Sequence, residues 1–277
     1  MKKLVMLSFA MLVVTAFAFA GGGEEETPSR GNYEDGFYFA QAEEFADSGW
    51  KSVVYFDVED GSIARAMWTG AHRTGGLDKY TASTDGEYGM VANSDAQAPW
   101  YEQADSTVEW LLDTQNPAEV VLNDEGGTDA ISGVSITVSG FFTLVEKAIE
   151  EGPVGRGPYE DGAHSAEADE FGENGWRDQV NVTVIGGYIT SVYWDAVNED
   201  GESKKEQSEA GEYGMVANSD AEVAWYEQAR AVEEWLVQNQ DPSEMALTND
   251  GRPDAVSGVS IHVTGFLDLV EQALSGA

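Results

Sequence analysis

Two short segments carry the residue types that could do chemistry. Asp129–Ser135 reads DAISGVS, and Asp254–Ser260 reads DAVSGVS. Each offers a carboxylate (Asp129, Asp254), a glycine that permits a tight turn (Gly133, Gly258) and two hydroxyls (Ser132 and Ser135, Ser257 and Ser260), just ahead of an apolar helical pattern. A hydroxyl presented on such a turn can carry an ester, and nearby backbone N–H groups can receive a phosphate. A single copy reads more simply as a turn followed by a hydrogen-bonding serine. Recurrence in the same register is what singles the motif out. Most other chemistries are removed by composition. The chain has no cysteine, which excludes disulfides, thiolate metal sites, cysteine nucleophiles and iron–sulfur ligation. Its three histidines, His72, His164 and His262, never fall at equivalent positions of the two segments, which argues against a histidine-based catalytic or metal centre in either.

The motifs end two copies of one longer unit. Glu87–Ala96 (EYGMVANSDA) returns letter for letter at Glu212–Ala221, and Trp100–Ala104 (WYEQA) returns at Trp225–Ala229. Tyr33–Gly36 matches Tyr159–Gly162, Gly49-Trp50 matches Gly175-Trp176, and Gly61 matches Gly187. The offset is 126 up to this region and 125 from Glu87 onward, so a one-residue difference lies in between. A period this long is that of a domain with its own core rather than of a solenoid repeat. Residues 32–151 and 157–277 are the expected domains, joined by a linker at 152–156. Within each copy, Tyr33–Gln41 reads as a short strand. Val53–Val58 with Ile63–Trp68, and Val180–Val184 with Tyr188–Trp194, read as hairpins. Polar loops follow at Thr69–Gly86 and Asn198–Gly211. Trp100–Asn116 and Trp225–Gln240 have helical periodicity, and Phe141–Ile149 and Phe266–Leu274 form a last amphipathic helix. Strands first and helices after predict an α+β fold, twice. Trp50 and Trp176 are assigned to the core.

Met1-Lys2-Lys3, the apolar run from Leu4 to about Val14 and Ala18-Phe19-Ala20 have the form of an export signal over residues 1–20, with a flexible leader over 21–31. A cleaved signal makes the chain periplasmic or secreted, without stable membrane insertion, and there is no cysteine for a bacterial lipoprotein anchor. The formal net charge is −37, or −39 for 12 basic against 51 acidic residues once Lys2 and Lys3 are removed. Such a surface repels nucleic acid and anionic membrane faces. It suits either a solvated shell adapted to high salt or docking to a basic partner, and the even spread of the acids favours the first.

The series Tyr-x-Asp-Gly, Gly-Trp, a Gly-Ile hairpin, Tyr-x-Met and Asp-Ala-x-Ser-Gly before a final helix resembles the FMN-binding domain family. That family includes the flavin-carrying subunits of sodium-pumping NADH:quinone reductase and its ferredoxin-linked relatives. It also includes exported tandem-domain flavoproteins of extracellular electron transfer, which this chain most resembles. The resemblance covers both copies. It implies FMN in each, transferred from FAD by a dedicated FMN transferase and joined through a phosphoester to the hydroxyl at the motif's last position, here Ser135 and Ser260. The family usually has Ala-Thr where this chain has Val134-Ser135 and Val259-Ser260. Serine keeps the hydroxyl, while valine is bulkier and β-branched. Thr137 is a second hydroxyl in copy one alone.

The resemblance gives roles to further residues. Tyr88, Met90, Tyr213 and Met215 either line the flavin ring or pack in the core. Lys79 and Lys204 align, and either contact the phosphate or ring carbonyls of FMN or, by default, are solvated loop lysines. Asp129 and Asp254 would support transfer by holding the transferase's metal or orienting the hydroxyl. The implied function is an exported electron carrier, served by redox donor and acceptor proteins or small acceptors. A noncatalytic binding or sensing protein and a flavin-dependent reductase of a small substrate are the alternatives.

Overall fold

A computed structural model describes residues 31–219 and 221–275, so the expected export signal and nearly all of the leader lie outside the described residues. The chain folds as two α+β units of the same build. In the first, β1 (Gly36–Gln41), β2 (Trp50–Glu59) and β3 (Ser62–His72) form an antiparallel sheet in that order. The helices α1 (Lys79–Thr84), α2 (Met90–Asn93), α3 (Trp100–Thr114) and α4 (Ser139–Glu151) follow. The second unit repeats this with β4 (Gly162–Glu167), β5 (Arg177–Ile185) and β6 (Tyr188–Val197), then α5 (Lys204–Glu209), α6 (Met215–Asn218), α7 (Trp225–Asn239) and α8 (Thr264–Ser275). No described helix is long and apolar enough to cross a membrane.

The central hairpins form because their turns can adopt positive φ at both central residues. Asp60 and Gly61 lie at 52° and 75°, and Gly186 and Gly187 at 64° and 82°. Each hairpin carries a bulge at the same place, beside Asp57/Val58 and Thr183/Val184. Alternation along β2 sends Val54, Phe56 and Val58 into the core beneath the helices, while Val53 and Tyr55 face away. The strands run further than the hydrophobic pattern predicts, to His72 and Val197. The segments expected to be loops at Thr69–Gly86 and Asn198–Gly211 also contain α1 and α5. Six residues are too few for a helical period to show, and both helices are fixed by capping instead.

The outward faces of the two sheets meet at Val53, Ala71 and Ile185, flanked by Phe39 and Tyr55. Ser191 Oγ donates to the His72 carbonyl at 2.6 Å and Thr183 Oγ1 to the Gly76 carbonyl at 2.8 Å. The helices therefore lie on the outside of a pair of sheets set back to back.

Each unit is also clamped by one glutamine in the left-handed region, Gln115 at φ 56° and Gln240 at φ 67°. Gln115 Oε1 accepts from Ile63 N at 2.7 Å, and its Nε2 donates to the Ile63 carbonyl at 3.0 Å, tying the end of α3 to β3. Gln240 binds both backbone groups of Ile189 in the same way. Because Gln115 is buried, Gln115→Ala leaves both backbone groups of Ile63 without a partner. It should destabilise the protein by about 2 kcal/mol, read as a lower midpoint in urea denaturation followed by tryptophan fluorescence.

Candidate functional site

The DAISGVS and DAVSGVS loops turn through Gly133 and Gly258, at φ 82° and 81°. A Cβ at either would meet nothing within 4 Å, so glycine is there for its backbone freedom and not for space. Beyond the turn, Ser135 N donates to Gln103 Oε1 at 2.7 Å, Ser135 Oγ at 3.1 Å and Ile136 N at 3.2 Å. In the second unit Gln228 Oε1 accepts from Ser260 N at 2.6 Å, Ser260 Oγ at 3.2 Å and Ile261 N at 3.2 Å. The other end of each amide donates to a backbone carbonyl, Ala98 at 2.9 Å and Val223 at 2.8 Å. Gln103 and Gln228 are 2% and 1% exposed, whereas Ser135 and Ser260 are exposed. One buried amide thus fixes the loop backbone while its hydroxyl faces solvent. The valine before each serine packs against the core.

Two further elements bring a lysine to this place. The first residue of α1 is Lys79 and that of α5 is Lys204. Asp78 caps α1, accepting from Tyr80 N and Thr81 N, and Thr69 Oγ1 donates to it at 2.5 Å. Ser203 caps α5, and its hydroxyl donates to Asp195 Oδ2 at 2.6 Å. Thr69 aligns with Asp195 and Asp78 with Ser203. The same hydroxyl–carboxylate pair is therefore kept with its two members exchanged. With the helix start held, Lys79 Nζ lies 5.9, 4.7 and 4.8 Å from the ring centres of Trp50, Tyr88 and Trp100. Lys204 Nζ lies 5.8, 5.0 and 4.5 Å from those of Trp176, Tyr213 and Trp225. Three ring faces attract one ammonium, a contact worth up to roughly 2 kcal/mol when desolvated. Burial pushes the Lys79 amine down to about 8. It lowers Lys204 too, against the opposing charges of Asp178 and Asp195.

In the second unit these groups wall a cavity of about 690 Å³, within the range of small-molecule and cofactor sites. Lys204, Tyr213, Met215, Trp225 and Ser260 line it, with Asp178 and His262. The corresponding first-unit groups are Lys79, Tyr88, Met90, Trp100 and Ser135. Tyr88, Met90, Tyr213 and Met215 also pack against their cores.

The tryptophans and lysines depart from expectation. Trp50 and Trp176 are half-buried, set edge-on to Tyr88 and Tyr213, and flank the lysine rather than filling the core. Lys79 and Lys204 are not solvated loop lysines, since a capped helix start points them among rings. Asp129 and Asp254 are exposed, and Asp254, Ser257 and Gly258 are not part of the cavity wall. Gln103 and Gln228 were not among the expected site residues. The repeated WYEQA was the available signal, because it puts a polar residue on the buried stripe of α3 and α7.

No protein-family profile matches the sequence, and no curated protein matches it. Two solved structures do. A solution NMR structure from Clostridium thermocellum is 45% identical, covers 42% of this chain and 91% of that one, and superposes with a TM-score of 0.34. A crystal structure from Clostridium perfringens is 20% identical, covers 43% and 88%, and has a TM-score of 0.35.

Two outcomes are expected of the site itself. Gln103→Leu should speed deuterium exchange at the Ser135 and Ile136 amides by about tenfold or more, the equivalent of one lost buried hydrogen bond. The Ser260 and Ile261 amides, held by Gln228, should be unchanged in the same experiment. Lys79 gives a pH signature. Its folded value is about 8 against 10.5 when exposed. Between these limits the unfolded chain holds a proton that the folded chain has released, so stability rises with pH across the window. The stability of wild type minus that of Lys79→Met should therefore climb from about pH 8 to about pH 10, measured by urea denaturation in pairs.

Proposed function

We propose that this chain is an exported electron-transfer flavoprotein that carries one FMN in each repeat, joined as a phosphoester to Ser135 and Ser260. The observation that carries the reading is the convergence, in the second repeat, of an exposed serine hydroxyl on a fixed backbone with a caged lysine, a tyrosine and a methionine, with the same residue types at the aligned positions of the first. These residues fit a flavin. The rings and thioether suit a flat π-system, the lysine suits the negative charge of a phosphate or of a reduced ring, and the hydroxyl is open to a transferase. The packing of Val134 and Val259 on the cores also favours the ester, since the valine side chains are drawn away from solvent.

When bound, FMN supplies reversible electron acceptance, and the protein supplies position and electrostatics. Gln103 and Gln228 orient the attachment residue. The caged ammonium supplies a positive charge that favours added electrons. What recurs between the repeats is binding chemistry. Of the titratable cavity residues, Lys204 and Tyr213 recur as Lys79 and Tyr88, whereas Asp178, Arg252 and His262 align with Ser52, Gly127 and Thr137, so no carboxylate or histidine is duplicated. That pattern supports a carrier over an enzyme that turns over a substrate.

Intact mass of the mature protein, coexpressed with an FMN transferase, tests the proposal. Wild type should gain two FMN units, each less one water, and Ser135→Ala and Ser260→Ala should each lose one. An unmodified mass in yellow protein that loses its colour on denaturation would replace the ester with noncovalent FMN. An unmodified, colourless protein would favour the binding or sensing alternative.

A further inference from the structure

The two sites share their lysine, rings and hydroxyl at aligned positions, yet differ on the strand beneath. Asp178 of β5 occupies the place that Ser52 of β2 has in the first unit. The match is spatial as well. Ser52 Oγ lies 3.8 Å from the point where Gly140 would carry a Cβ, and Asp178 Oδ2 lies 3.9 Å from the same point at Gly265. Both glycines stand in the first turn of the last helix, α4 or α8. Asp178 is half-buried and lines the wall with Lys204 and Ser260. Its charge acts on Lys204.

The remaining charges do not cancel this difference. Asp195 stands at the Thr69 position and adds its charge to that of Asp178 at Lys204, while its exchanged partner in the first unit, Asp78, is the helix cap itself. Arg252 replaces Gly127, but it is exposed and paired with Asp250 at 3.2 Å. His262, in place of Thr137, is exposed. Among the described residues neither lysine has a carboxylate within 4.0 Å, but carboxylate charge reaches Lys204 from Asp178 and Asp195, whereas burial alone shifts Lys79. The first unit thus presents a lysine cation without the added carboxylate, and the second presents the cation with one. A negative charge beside a redox group opposes the arrival of electrons, and it does so more strongly away from bulk water.

We infer that the repeats are electrically unequal sites, with Asp178 holding the flavin on Ser260 at a lower midpoint potential than the flavin on Ser135. This rests on the flavoprotein reading. Direction follows from it, since electrons shared between the two flavins settle on the first repeat.

Spectroelectrochemical titration of the flavinylated protein tests the inference, with Ser135→Ala and Ser260→Ala each leaving one flavin to be assigned. The flavin on Ser260 should titrate at the lower potential. Asp178→Ser and the more conservative Asp178→Asn should raise it toward that on Ser135, while Ser52→Asp should lower the latter. A second readout needs no flavin. In ¹³C-methylated protein followed by NMR, Lys204 should titrate above Lys79, and Asp178→Ser should bring it down toward Lys79. Two bound flavins of equal or reversed potential, or an Asp178→Ser protein in which neither the potential nor Lys204 moves, would overturn the inference and leave the flavoprotein reading intact. Protein that takes up no flavin would instead overturn the reading beneath it.

Discussion

One buried amide oxygen in each repeat takes three hydrogen bonds, and the geometry of the site depends on it. A glutamine inside a core is costly unless its groups are paired, on the order of 1–3 kcal/mol for each polar group left unmet. Gln103 and Gln228 avoid that cost by spanning two segments, the backbone just before their own helix and the serine loop some thirty residues later. A leucine there would fill the volume and leave the loop's N–H groups to water. The amide holds the loop without covering it. It binds the backbone N–H of the serine strongly and the hydroxyl at a longer distance, so the oxygen is oriented yet remains exposed.

The lysine obeys a different constraint. Burying an ammonium lowers its affinity for a proton, and three ring faces offset only part of the lost hydration. It must therefore be held in place by something rigid, and the cap at the start of its helix does this. Exchange of the hydroxyl and the carboxylate between Thr69–Asp78 and Asp195–Ser203 shows which feature is essential. Neither position requires its own residue type. The pair is required, because a lone carboxylate there would be unmatched and a lone hydroxyl would anchor little. Two copies in one chain thus act as an internal experiment, in which substitution at one position is answered at the other.

Much of this could be read from the residues before the fold was known. The duplication, the hairpins with their Asp-Gly and Gly-Gly turns and the two long helices follow from pattern and alignment, and the grouping of Ser260 with Tyr213 and Met215 follows from the family resemblance. The exceptions have a common cause. Trp50 and Trp176 look like core residues because tryptophan is apolar, but they flank a charged group that comes from another element. Lys79 and Lys204 look solvated because they lie in polar stretches, and a six-residue helix leaves no period to detect. Gln103 and Gln228 look like surface residues of a helix until the loop that covers them is in place. In each case the deciding neighbour is remote in sequence, and local propensity carries no information about it.

The one-residue difference between the repeats has a physical counterpart in the turn that leads to the lysine. In the second unit this turn closes on itself. Asn198 Oδ1 accepts from Asp200 N at 3.1 Å and Glu202 N at 2.9 Å, and Asn198 N donates to the Glu202 carbonyl at 3.2 Å. In the first unit the corresponding turn starts at His72, and the carbonyls of His72 and Gly76 accept hydroxyl donors from β6 and β5 of the other repeat. Both turns are braced from within, the first by Gly75 N donating to the His72 carbonyl at 2.9 Å, and the first is braced across the sheet-to-sheet interface as well. The faces that meet are equivalent in the fold but not in chemistry. Ser191 and Thr183 supply donors where the first unit has Arg65 and Asp57. An exchange of the two repeats along the chain would remove those donors from the turn that needs them, so the duplicated domains have become a fixed, ordered pair.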